Sequence, residues 1–171
     1  MPDPLDVVTR SVTAADEAPI RRLHADVFGP GRFARTAYRV REGTPFASPF
    51  CRVALQGDRL IAALRMTPAT VGGMAGSLLL GPLAVDPAFA NQGYGRRLAA
   101  ESFELASKAG FRLVLLVGDL SYYARMGFVA VPAGQIWLPG PADPARILAR
   151  EFAPGLLGSY RGLVVAATGK A

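Results

Sequence analysis

Between Ala84 and Ala99 the chain reads AVDPAFANQGYGRRLA: the end of an apolar strand, two glycines at Gly93 and Gly95, and a helix opening on Arg96 and Arg97. Glycine at such a turn lets another group approach the main chain closely. The first turn of a helix has N–H groups without intrahelical partners, and its dipole adds about half a positive charge there. Gln92, Gly93, Tyr94, Gly95 and Arg96 therefore make a candidate anion cradle, and a ligand held in it would carry phosphate. A Walker loop needs a lysine after its second glycine, and none follows here; the dinucleotide fingerprint needs a third glycine where Leu98 stands. Spacing alone leaves a phosphate cradle and a plain tight turn both open.

Six other positions carry chemically capable side chains. Tyr122 and Tyr123 sit in SYYARMGF; a phenol donates a hydrogen bond at little cost, although tyrosines on a short amphipathic helix also serve as packed core. His24 shares a helical face with Ile20, Val27 and Phe28 and reads first as a core imidazole, second as a base. Glu42 follows an arginine-rich helix and reads as an ion-pair partner of Arg39 or Arg41, and Asp119 ends a strand and reads as a turn residue. Cys51, the sole cysteine, lies on an apolar strand and reads as a small hydrophobe, which excludes an internal disulfide and fits a reducing compartment. No metal site is expected.

The totals narrow the class. A chain of 171 residues with 51% hydrophobic and 19% charged residues is globular and long enough for a real core. No apolar run reaches the roughly 18 to 20 residues of a membrane span, and the acidic MPDPLDVVTRSV is no signal peptide, so a cytoplasmic protein without a membrane partner is expected. The net charge of +6 comes from 17 arginines against two lysines. Six arginines fall between Arg21 and Arg41, with only Asp26 among them. They read as a solvated helical face. Zinc-finger and ribonucleoprotein patterns are missing and aromatics are not interleaved regularly with the arginines, so nucleic acid is not an expected partner.

The elements that must position these residues follow in order. LDVVTRSV (5–12) reads as a strand, and Thr13 with Asp16 resembles a capping box before a helix bearing Ile20, Leu23, Val27 and Phe28. Gly29-Pro30-Gly31 ends it, and a second, polar helix is expected over 33–42. CRVALQ and RLIAALRM form a hairpin about Gly57-Asp58. SLLLGPLAV is a central strand, followed by a helix over 94–109 that closes at Gly110. FRLVLLV (111–117) is a strand buried on both faces, SYYARMGF a short helix, VAVPAGQIWLP and RGLVVAA the last strands, and a further helix is expected near 143–152. This order argues one mixed α/β domain with a central sheet.

The stretch from Leu78 to Phe128 resembles the core of the GNAT acetyltransferase superfamily. LLLGPLAVDPAFANQGYGRRLA is similar to the family's fourth strand, diphosphate loop and helix, FRLVLLVGD to its fifth strand, and YYARMGF to its tyrosine-to-Gly-Phe segment. The combination is closest to a bacterial branch of predicted N-acetyltransferases. Two positions depart from the pattern: Ala90, where the family usually has Arg or Gln, and Leu120, where close relatives often have proline. The resemblance implies a single domain over 1–171 with a mostly antiparallel, splayed sheet flanked by helices, its core motifs at 78–128 and an acceptor-shaping part at 129–171. It implies acetyl-coenzyme A as cosubstrate and acetyl transfer to a primary amine, of a small molecule or a peptide, by direct attack in a ternary complex. A non-catalytic coenzyme-binding module is the alternative.

By the same resemblance, Leu83, Ala84 and Val85 pair through their main chain with the pantetheine arm, and the N–H groups from Asn91 to Arg96 hold the diphosphate. Pro82 marks a local bulge. A backbone N–H near Val85 faces the oxyanion, and Tyr123 serves the departing thiolate, with Tyr122 in reserve. The base is left open among His24, Glu42, Asp119 and water. Arg32, Arg35, Tyr38, Phe46, Phe50 and Trp137 are candidates to line the acceptor site, and a homodimer through the late strands would be ordinary for the family.

Overall fold

The structure, a computed structural model, describes residues 6–31 and 36–167. Strand β1 (Val7–Ser11) leads through a 3-10 turn (Ala14–Asp16) into α1 (Glu17–Phe28), and α2 (Thr36–Arg41) precedes the hairpin of β2 (Arg52–Gln56) and β3 (Arg59–Val71). Then come β4 (Met74–Val85), α3 (Tyr94–Lys108), β5 (Leu113–Val117) and α4 (Leu120–Tyr123). The remaining strands are β6 (Val129–Ala130), β7 (Ile136–Trp137), β8 (Ile147–Glu151) and β9 (Gly162–Ala166). Leu5 and residues 33–35, where the first strand and second helix were expected to begin, lie outside the described residues.

All nine strands join one sheet in the order β1-β2-β3-β4-β5-β8-β6, with β9 pairing the far half of β3 and β7 pairing β9. Among the described residues only β4–β5 and β7–β9 are parallel. Strand alternation divides the core. Leu78, Leu80, Val114 and Leu116 face the cluster beneath α3 with Leu98, Phe103 and Phe128, whereas Leu79, Leu113 and Leu115 face the opposite cluster with Ile136, Tyr160 and Val164. Helix α1 closes a third cluster through Ile20 and Leu23 against Val53, Ala63 and Ala84. The run LVLLV is thus buried on both faces, as its composition requires.

Two late elements differ from the sequence reading. Residues 147–151, expected as helix, form β8, antiparallel to the whole of β5, with Ile147, Leu148 and Ala149 buried. The free edge of β5 decides this: an apolar edge strand needs a ladder partner, and tertiary pairing overrides a weak helical preference. A 3-10 turn at Pro144–Arg146, capped by Asp143 accepting from Ala145 N–H, occupies the start of the expected helix. The segment VAVPAGQIWLP is not one strand but β6 and β7, because the chain turns at Pro132, whose carbonyl accepts from Gln135 N–H.

The expected Thr13–Asp16 motif carries more than a cap. Asp16 accepts from Arg10 Nη1 at 2.6 Å and Nη2 at 2.8 Å, and from Thr13 N–H at 2.7 Å, tying β1 to the start of α1. The Arg10 bond holds the Asp16 carboxyl down to about 2. A depressed carboxyl contributes stability above its unfolded value that is lost as pH falls through the folded one. Asp16→Asn should therefore cost roughly 2 kcal/mol at neutral pH. Urea unfolding followed from about pH 4 to about pH 2 should show wild type losing this advantage while the variant stays level.

Candidate functional site

The glycine turn is built by side chains before it. Asp86 Oδ1 accepts from Ala88 N–H at 2.9 Å and Oδ2 from Arg59 Nη2 at 2.7 Å, which fixes a 3-10 turn at Pro87–Phe89. The Arg59 guanidinium lies 5.1 Å over the Phe89 ring, and Phe89 meets the buried Tyr94 edge-on at 6.3 Å. Tyr94 thus pins the first turn of α3 to the sheet. Gly93 caps that helix at φ +84°, a left-handed conformation that favours glycine, and Asn91 is also left-handed at φ +60°. The first helical bond runs from Arg97 N–H to Gly93 C=O at 2.9 Å. Among the described residues no hydrogen bond uses the main-chain N–H of Asn91, Gln92, Gly93, Tyr94, Gly95 or Arg96. A side chain at Gly95 would sit 3.1 Å from Tyr122 Oη and 3.5 Å from Leu83 and Val85, so glycine keeps a slot open between α3 and the end of β4.

Beside this turn the sheet splits. β5 pairs with β4 only at Ser77–Leu79, although both strands run on. Between Leu64↔Leu83 and Met66↔Leu80 the β3–β4 register shifts, so that Arg65 alone opposes Gly81 and Pro82, the bulge expected at Pro82. Asp86 N–H donates to Ile61 C=O at 2.8 Å, toward β3. Antiparallel alternation then turns the main-chain groups of Ala84 toward β3 and those of Leu83 and Val85 toward the open side, where β5 has diverged.

The split opens into a cavity of about 440 Å³ between Leu80–Leu83 on one wall and Leu116, Val117 and Tyr123 on the other. The Tyr123 ring packs edge-on against Tyr122 at 4.8 Å and Phe128 at 5.7 Å. Gly118 makes room for it, since a Cβ there would lie 2.7 Å from Tyr123 Cε2. Burial, then the neighbouring Tyr122 and Asp119, push its phenol up to about 12. Its hydroxyl makes no hydrogen bond among the described residues, unlike a satisfied core tyrosine. Tyr122 is 45% exposed and lies at Gly95, so the two tyrosines serve different ends of the site.

The expected bases are elsewhere. His24 lines a separate small cavity near Cys51 and Arg65, and its ring packs tilted against Phe28 at 5.9 Å. Glu42 is exposed and enters no ion pair among the described residues, so the expected pairing with Arg39 or Arg41 is not formed. Asp119 caps α4 through its carbonyl and faces Arg146 at 3.4 Å, the turn role expected of it. Cys51 is buried, its Sγ accepting from Met66 N–H at 3.4 Å and Ser48 N–H at 3.3 Å.

Of the residues expected near the acceptor, Tyr38 lines the large cavity and Phe46 the small one. Phe50 is core against Phe111 at 5.0 Å, and the exposed Trp137 is on β7. Arg32 and Arg35 lie outside the described residues. Arg41 corrects the reading of the arginine run as a solvated face: its side chain is buried and lines the large cavity. Asp86, Arg59 and Phe89 were missed as builders of the turn. Only the Asp-Pro-Ala spacing, an N-cap pattern, signalled any of them.

With this geometry in place, comparison with known proteins is direct. Residues 48–130 match the family model of the acetyltransferase (GNAT) domain. It is 28% identical over 85 residues to the uncharacterized N-acetyltransferase YhbS of Escherichia coli K12, a match covering 50% of this chain and 51% of YhbS. The chain thus spans about half the length of that curated relative. YjhQ of the same strain is 28% identical over 130 residues, 74% of this chain and 71% of YjhQ. The crystal structure of Escherichia coli YhbS in complex with CoA superposes with a TM-score of 0.81 at 24% identity, covering 94% of this chain and 89% of that one. A Brucella melitensis GNAT acetyltransferase in complex with acetyl-CoA gives 0.71 at 24% identity, covering 95% and 96%. These structures share the fold of this chain. Among the described residues no helix is long and apolar enough to cross a membrane and no cluster could hold a metal ion.

Tyr123 supplies a test of its surroundings. A phenol raised from about 10 to about 12 favours the folded state below pH 10, and this is lost as pH rises toward 12, because the unfolded chain ionises first. Unfolding measured at pH steps from 10 to 12 should show this decline in wild type and a flatter profile in Tyr123→Phe. Gly118→Ala, which displaces the ring, should bring the phenol's absorbance titration back toward 10.

Proposed function

We propose that the protein is an N-acetyltransferase that moves the acetyl group of acetyl-coenzyme A to a primary amine by direct attack in a ternary complex. The observation that carries this reading is the row of unused main-chain N–H groups from Asn91 to Arg96, set at the mouth of a split sheet that leads to Tyr123. Those amides, with the helix dipole behind them, suit a diphosphate. A groove flanked by Arg96, Arg97, Arg125 and Arg150 adjoins the turn and suits the phosphorylated ribose of the same ligand. The outward main-chain groups of Leu83 and Val85, on either side of Ala84, suit an amide-bearing arm laid along β4 as an added strand.

When bound, acetyl-coenzyme A supplies the thioester carbonyl and a thiolate leaving group. The open-side N–H groups of β4, Val85's among them, are the donors available to a developing oxyanion. Tyr123 offers its hydroxyl hydrogen to the sulphur. Its phenol, at about 12, holds its proton more tightly than an ordinary thiol near 8.5, so complete transfer would be uphill by roughly 5 kcal/mol. Tyr123 therefore acts as a hydrogen-bond donor to the thiolate, which takes its proton later from water. None of the three expected bases lines the cavity with Tyr123. We assign the amine's proton to water at the cavity mouth, where the exposed Asp143 is the adjacent carboxylate.

Isothermal calorimetry should show CoA binding at micromolar to sub-millimolar concentrations, and no heat at millimolar CoA would end the proposal. A thiol-release assay across an amine panel should find turnover, with Tyr123→Phe lowering kcat about tenfold to a hundredfold, the worth of a hydrogen bond to a charged group. CoA binding without turnover of any amine would favour a coenzyme-binding module instead.

A further inference from the structure

One cation lining the cavity has no carboxylate partner among the described residues. The Arg41 side chain is 6% exposed, yet no hydrogen bond or ion pair among the described residues uses its guanidinium, and its Nε is buried without an acceptor. It lies over the Tyr38 ring at 5.4 Å. Glycine at position 81 leaves room for it: at φ +130°, a Cβ on Gly81 would be 2.6 Å from Arg41 Nη2. Arg65, which opposes that bulge, is a second cation without a carboxylate partner among the described residues. Its Nη2 donates to Thr44 Oγ1 at 2.8 Å and Pro45 C=O at 3.1 Å, and its Nε is also buried without an acceptor. Thr44 in turn donates to the Arg41 carbonyl at 2.6 Å, so the two arginines hang on one link.

An uncompensated buried cation costs several kcal/mol, and a like charge nearby adds to that. Burial, then Arg65, push the Arg41 guanidinium down to about 9, so it remains charged at neutral pH. An apolar side chain would fill this place more stably. The diphosphate turn meets β4 at Leu83 and Val85, whereas Arg41 meets it at Gly81, about 7 Å further along the strand.

We infer that the acceptor amine carries a carboxylate, which the Arg41 guanidinium, backed by Arg65, receives in the cavity beside Gly81. The Nε–H and Nη–H edge of arginine matches the two oxygens of a carboxylate. This inference rests on the acetyl-transfer reading, and deepens it by naming the acceptor class.

Two measurements test it. The first is thermal shift of the full chain with CoA present, using succinate and glutarate as probes against butylamine and phosphate. The dicarboxylates should raise Tm in wild type and not in Arg41→Gln; a rise with phosphate alone would overturn the carboxylate assignment. The second is thiol release with matched acceptors, such as 5-aminopentanoate against pentylamine. The carboxylated member should have the higher kcat/KM by about tenfold or more, the size of one charge-assisted pair. That ratio should collapse toward one in Arg41→Gln and fall partway in Arg41→Lys, which keeps the charge but not the fork. Without ligand, Arg41→Met should melt at or above the wild-type Tm, whereas a large drop would mark Arg41 as structural and overturn the proposal. Equal rates for both members in wild type would overturn it while leaving acetyl transfer standing. If wild type binds no CoA, acetyl transfer falls, and the dicarboxylate shift in its absence decides the anion site alone.

Discussion

Everything at the site depends on how β4 is paired. Along one edge it is held by β3 to its last residue, while on the other β5 accompanies it for three residues and then leaves to pair with β8. The strand is therefore rigid without being covered. Its outward main-chain groups at Leu83 and Val85 face open space, and the cavity follows from the same divergence. A fully laddered β4 would have no groups to offer, and an unpaired one would have no fixed direction in which to offer them.

The bulge opposite Arg65 links the two ends of this arrangement. It lets β4 change its angle where β5 departs, and it places Gly81, the residue without a side chain, against Arg41. Below it, Asp86 with Arg59, Phe89 and Tyr94 fixes where α3 begins, so that Gly93 and Gly95 present their amides at the mouth of the cleft. The turn is thus tied back to β3 through Asp86 and Arg59, and the Arg41 end is held by the reach of α2 to β3 and β4.

The buried arginines set stability against recognition. A protein core gains from apolar contact and loses from an unpaired charge. The buried Arg41 keeps such a charge beside the large cavity, and the half-buried Arg65 keeps a second beside the small one. Tyr123 is treated differently: its phenol is neutral, so burying it costs less than burying a charge, and burial keeps it protonated.

What the sequence determined by itself is the local part. The two glycines, the strand before them and the helix after them lie within about fifteen residues, and their conformations follow from backbone sterics and helix ends that neighbours in the chain supply. The same holds for Tyr123 beside Gly118 and Gly127, and for Thr13 with Asp16. Tertiary structure alone decided the rest, because it depends on which edge meets which. Residues 147–151 became a strand since β5 had a free edge, whatever their helical tendency. Arg41 looked like one more arginine in a solvated run, and only the approach of α2 to a bulge forty residues later buried it. Charge and periodicity along a chain carry no record of such a meeting, whose energy lies in contacts between distant segments.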